Sequence, residues 1–157
     1  MKILFLHGFE STLPSSKADW MMQQGHEVMA HPMGYEREDA FHVALECAKT
    51  FRPELIVGSS MGGHFAFHIG THFQTRLVLL NPALHSRSKE YDLPNNGKYT
   101  PDIHVLLGRN DTLIDPETTK SILEPLDANI TFGEHRHRTP LKIFSGYMLP
   151  LFEEWNN

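Results

Sequence analysis

Ser60 stands at the centre of Gly58-Ser-Ser-Met-Gly62, a G-x-S-x-G pattern that closes an apolar run of Leu55, Ile56 and Val57. Phe65, Ala66, Phe67 and Ile69 follow at spacings that suit a helix. A serine lifted on a sharp strand-to-helix turn adopts a strained backbone that brings the residues two before and two after it close together, and a Cβ at either place would collide. Glycine occupies both, so the pattern reads as a nucleophile elbow, and Gly63 extends the small surface on which the helix can sit against a sheet. Ser59 is not framed in this way. A phosphate-binding loop is the competing reading of a Gly-rich turn, but no Lys-Ser/Thr pair follows these glycines and they do not give the G-x-G-x-x-G spacing.

A serine hydroxyl needs a base within hydrogen-bond reach and an acid to orient that base. Two loops downstream offer both. A strand expected at 103–107 runs into Gly108-Arg-Asn-Asp111, and one expected at 128–132 runs into Gly133-Glu-His135. Asp115 is the rival acid, but it precedes Pro116-Glu117 and reads as a helix N-cap with proline at the first helical position. His137 is the rival base in the same loop as His135, and order along the chain leaves both open. Negative charge developing on a substrate oxygen would need two backbone N–H groups, expected from Met61 and from Phe9 in the His7-Gly-Phe9 turn. His7 itself is expected to be structural.

These loops require elements to carry them. With 157 residues, 40% hydrophobic and 21% charged, the chain reads as a single α/β domain over residues 1–157, a size that buries about 68–70% of the unfolded surface. Short apolar runs alternate with helical patterns, the rhythm of a parallel sheet covered on both faces. Strands are expected at 3–6, 26–30, 54–58, 76–80, 103–107 and 128–132. Helices are expected from an N-cap at Ser16 to Gly25, over 37–51, and from Thr139 and Pro140 onward, with Pro150 kinking or ending the last. Segment 83–101 is the one long irregular stretch, and it could wall a pocket in part.

The net charge of -5 argues against a general nucleic-acid or anionic-membrane partner. Cys47 is the only cysteine, which rules out an internal disulfide. The opening Met1-Lys-Ile-Leu-Phe-Leu-His7 reads as a first strand and not as a signal peptide, no apolar run would span a bilayer, and a cytoplasmic location is expected. His64, His68 and His72 share one helical face without accompanying carboxylates or cysteine, and His135-Arg-His137 lacks further ligands, so no metal and no cofactor are expected.

His7-Gly-Phe-Glu-Ser-Thr12, Ser15-Ser-Lys17, Gly58-Ser-Ser-Met-Gly-Gly63, Leu80-Asn-Pro-Ala83 and the Gly-x-x-Asp and Gly-x-His loops together resemble the small YqiA-like esterases of the α/β-hydrolase superfamily. The resemblance covers nearly the whole chain. It implies an α/β/α sandwich on a mostly parallel six-stranded sheet of order 2-1-3-4-5-6, with a reduced cap after Asn81-Pro82. It also implies a triad of Ser60, His135 and Asp111 that cleaves a small acyl ester or thioester through an acyl-enzyme. One departure bears on the base: Arg136-His137-Arg138 stands where such esterases tend to have an aromatic residue, which keeps His137 in view. Glu10 beside the Phe9 turn would disfavour strongly anionic substrates. The alternative from a different class is a non-catalytic binding protein on the same fold, acting through a partner. The oligomeric state is left open.

Overall fold

A computed structural model of the chain describes residues 1–9, 11–85 and 101–157. Among the described residues six strands and five α-helices follow in the order β1 (Lys2–Leu6), α1 (Ser16–Gln23), β2 (Glu27–His31), α2 (Ala40–Phe51), β3 (Leu55–Ser59), α3 (Met61–Phe73), β4 (Arg76–Leu80), β5 (Ile103–Gly108), α4 (Pro116–Leu123), β6 (Asn129–Gly133) and α5 (Leu141–Trp155). The strands form one sheet of order β2-β1-β3-β4-β5-β6, in which every pairing is parallel. The architecture and strand order are those expected from the sequence.

Side chains alternate across a strand, so each central strand feeds two cores. Leu4 and Leu6 of β1, with Ile56 and Leu79, pack beneath Ala44 and Ala48 of α2, Phe65 and Ile69 of α3, and Leu123 of α4. Ile3 and Phe5, with Val57 and Leu80, pack beneath Met21 of α1 and Phe144, Met148 and Phe152 of α5. The edge strands β2 and β6 are only half buried, which is why their apolar content is lower than that of the four between them.

Helix ends differ in detail from expectation. Ser15, not Ser16, caps α1, its side chain accepting from Ala18 N–H, and Gly25 takes a left-handed φ of +86° just beyond the end. The second helix begins at Ala40, three residues later than expected. Thr139 does not cap α5, whose N-cap is Pro140, and the helix runs through Pro150 to Trp155. Proline there removes one helical hydrogen bond, but Met148 and Phe152 on either side of it are buried against the sheet and hold the helix together. Most of the irregular segment 83–101 lies outside the described residues.

Candidate active site

Strand β3 ends at Ser59, and Ser60 turns the chain into α3 with φ 54° and ψ -114°. This left-handed conformation is costly for a residue with a side chain, and the neighbours impose it. Ser60 N–H donates to Leu80 O at 2.9 Å, and Ser60 O accepts from Ala83 N–H at 2.9 Å, which pins the turn to the end of β4. A Cβ at Gly58 would stand 2.5 Å from Gly62 O, and one at Gly62 would run into the carbonyl oxygens of Leu6 and His7. Gly63 leaves room for Pro82. Small residues at these three places therefore let α3 begin directly against β1, β3 and the β4 loop.

Asp111 lies in the loop after β5 and is nearly inaccessible. Its Oδ1 accepts from Leu113 N–H at 2.9 Å and Ile114 N–H at 3.0 Å, leaving Oδ2 to face the loop after β6. There it accepts from His137 Nδ1–H at 2.8 Å. On the other side of the ring, Ser60 Oγ–H donates to His137 Nε2 at 2.8 Å. A carboxylate on Nδ1 keeps that proton in place and leaves Nε2 unprotonated, the tautomer that can take a proton from the hydroxyl. Asp115 caps α4 as expected, accepting from Thr118 N–H at 2.9 Å, and the Thr118 contacts hold its carboxyl below the ordinary range.

The imidazole between Ser60 and Asp111 is thus His137, and the expectation of His135 is corrected. His135 follows the strand too closely to reach the serine: only 5% exposed, its ring turns back beneath the ends of β5 and β6. A Cβ at Gly133 would stand 2.8 Å from its Cδ2, and one at Gly108 2.8 Å from its Nδ1. Its Nδ1–H donates to Arg136 O at 2.7 Å, and its carbonyl accepts from Asn110 N–H at 3.2 Å. His135 is a wedge that shapes the loop; two residues further on, the chain has turned enough for His137 to face Ser60.

Asn81, in the sequence one residue of the Leu80-Asn-Pro-Ala83 motif, ties this loop down. It is buried at the end of β4 with a left-handed φ of 42°, which asparagine tolerates better than most side chains. Gly108 N–H donates to its Oδ1 at 2.7 Å, and its Nδ2 donates to His137 O at 2.6 Å.

The turn after β1 borders the serine. A Cβ at Gly8 would be 3.4 Å from Ser60 Cβ, and Phe9 follows with its ring exposed beside Tyr35. His7 supports the turn: its Nε2 accepts from Met33 N–H at 3.2 Å, its Nδ1–H donates to Gly8 O at 2.7 Å, and its carbonyl accepts from the Tyr35 hydroxyl. Met61 is the first residue of α3, so its N–H has no acceptor four residues back within the helix. Glu10 lies outside the described residues. Among the described residues, no group of three His, Cys, Asp or Glu could hold a metal ion, and no helix is long and apolar enough to cross a membrane.

Comparison with known proteins agrees with this geometry at the level of family and fold. The model of an uncharacterised protein family, UPF0227, matches residues 2–93, more than half of the chain. The chain belongs to the UPF0227 family. UPF0227 proteins of Shewanella sp. strains MR-4 and ANA-3 are each 28% identical over 148 residues, covering 78% of this chain and 83% of theirs. Among solved structures, a candidate hydrolase of the alpha/beta superfamily from Xanthomonas campestris superposes with a TM-score of 0.72 at 18% identity, over 98% of both chains. Est1E from Butyrivibrio proteoclasticus gives 0.73 at 13% identity, over 98% of this chain and 87% of its own. At such identities the likeness establishes the fold, and this UPF0227 protein has the α/β-hydrolase fold.

Proposed function

We propose that the protein is a serine hydrolase that cleaves a small acyl ester or thioester. The observation that carries this reading is the unbroken chain Ser60 Oγ, His137 Nε2, His137 Nδ1, Asp111 Oδ2, with 2.8 Å at each hydrogen bond. Ser60 Oγ attacks the acyl carbonyl carbon while its proton passes to His137 Nε2. The carbonyl oxygen becomes an oxyanion held by the N–H groups of Phe9 and Met61. The tetrahedral adduct collapses, the C–O or C–S bond to the leaving group breaks, and His137 returns the proton to the departing alcohol or thiol. Water then attacks the acyl-enzyme with His137 as base and releases the acid and free Ser60. Asp111 holds the imidazole in position and stabilises its cationic form throughout.

Treatment with a fluorophosphonate probe, followed by mass spectrometry of the adduct, tests activation of the serine before any substrate is known. Labelling of Ser60 that disappears in His137→Ala supports the reading. A folded sample that resists labelling overturns it and favours the binding-protein alternative.

A further inference from the structure

A cavity of roughly 360 Å³ opens between the β1 turn, the start of α1 and the segment entering α5. Its polar lining includes Ser11, Thr12, Ser16, Lys17, Arg138 and Thr139, and among the described residues no aspartate or glutamate lines it. Gly8 and Ser59 are among its lining, so the cavity abuts the β1 turn and the residue that precedes Ser60. A Cβ at Gly8 would stand 3.4 Å from Ser60 Cβ and 3.8 Å from Ser11 Oγ, so this glycine lies between the serine and the cavity lining.

Three features of this cavity point to a missing negative partner. Lys17 is half-buried, its ammonium 6.0 Å from the centre of the Phe144 ring, and among the described residues neither it nor Arg138 has a carboxylate in ion-pair range. Burial first, and then the positive charge of Arg138, hold the Lys17 amine below its ordinary pKa. Half-buried Lys17 and exposed Arg138 border the same cavity and repel each other, and an anion between them would relieve that repulsion. The third feature is Thr139 Oγ1: the residue is 1% exposed, and the hydroxyl has no hydrogen-bond partner among the described residues. A buried donor left unpaired is costly, and the residue that carries this one borders the cavity.

In place of the sequence expectation, drawn from Glu10, that strongly anionic substrates are disfavoured, we propose that the cavity is a subsite for a compact oxyanion group, a carboxylate or phosphate, carried by the substrate whose carbonyl lies at Ser60. Lys17 and Arg138 would neutralise it, and the hydroxyls of Ser11 and Ser16 would donate to its oxygens. The assignment as a substrate subsite rests on the hydrolase reading; the anion binding does not.

The experiment therefore separates the two. Full-length Ser60→Ala protein is titrated by calorimetry with inorganic phosphate and, separately, with acetate at constant ionic strength. Saturable binding of either is expected, weakened at least about tenfold by Lys17→Gln or Arg138→Gln and retained in Lys17→Arg, which keeps the charge should the neutral variant fold poorly. Phosphate alone, or acetate alone, would name the group. In the active protein, the hemisuccinate ester of 4-nitrophenol should be turned over with a higher kcat/KM than the butyrate ester, and Lys17→Gln should remove that preference while leaving butyrate turnover unchanged. Absence of saturable binding, or binding indifferent to both cation substitutions, overturns the proposal. A failure of Ser60 to label with fluorophosphonate would instead strike the hydrolase reading and leave the anion titration to stand by itself.

Discussion

Asn81 Nδ2 donates to the carbonyl oxygen of His137 at 2.6 Å, joining the end of β4 to the loop that carries the imidazole. The same side chain accepts from Gly108 N–H, at the root of the loop that carries Asp111. One buried amide therefore sets the spacing of both partners of Ser60 without touching the space a substrate would fill. Asn81→Asp keeps an acceptor but loses the donor. It should lower kcat at least about tenfold with little change in KM, because a loosened imidazole loses geometry and not substrate contacts. Fluorophosphonate labelling should slow in parallel. An equal rise in KM with kcat unchanged would contradict a positioning role.

The two histidines of the last loop should separate cleanly. His137→Ala should reduce turnover at least about 10⁴-fold while leaving the unfolding temperature near that of the parent. His135→Ala should do the reverse, keeping measurable turnover and lowering the unfolding temperature, because its ring fills the space between Gly108 and Gly133. Paired kinetics and thermal unfolding on both variants decide the matter. Full activity in His137→Ala would return the base to its neighbour.

Asp111→Asn should cost about 10⁴-fold in kcat, since an amide can present its NH₂ to Nδ1 and favour the wrong imidazole tautomer. A smaller loss would show that the hydrogen bonds from Leu113 and Ile114 position the side chain whatever its charge.

Backbone strain at Ser60 makes opposite demands on stability and reactivity. Ser60→Gly should be inactive and yet more stable than the parent, because glycine accepts a φ of 54° at little cost. Gly62→Ala should lose about 1–3 kcal/mol, because its Cβ would meet two main-chain oxygens that cannot move without shifting β1. Denaturant unfolding of both proteins checks these signs.

Burial pushes the Tyr147 phenol up to about 12 despite a hydrogen bond with Thr131. The folded state then holds this proton above the usual tyrosine pKa, so unfolded chains release it first, and stability should fall as pH rises from about 10 towards 12. An ultraviolet titration should show a late-ionising tyrosine that is lost in Tyr147→Phe.

Much of this was readable from residue types. Alternating apolar runs located all six strands, because the central ones are buried on both faces, and the G-x-S-x-G frame located Ser60 because only glycine can flank so tight a turn. Asp115 declared itself a cap through the proline after it. The choice between His135 and His137 was not readable from order along the chain, since it depends on how sharply the chain turns over residues 134–137 once β6 ends. Gly108 and Gly133 carried the missing signal: two strand-end glycines in neighbouring strands leave a hole, and a ring must fill it. Asn81 escaped notice as a bridge because its two partners lie 27 and 56 residues away in sequence.

Every group at the site leaves the carboxyl end of a different parallel strand: Gly8 and Phe9 after β1, Ser60 after β3, Asn81 after β4, Asp111 after β5 and His137 after β6. Ser60, His137 and Asp111 meet only when β3, β4, β5 and β6 lie side by side in one sheet. On the hydrolase reading, reactivity of Ser60 towards an electrophilic probe would report on whether the strands from β3 to β6 have come together, which the helix or strand content of the chain does not.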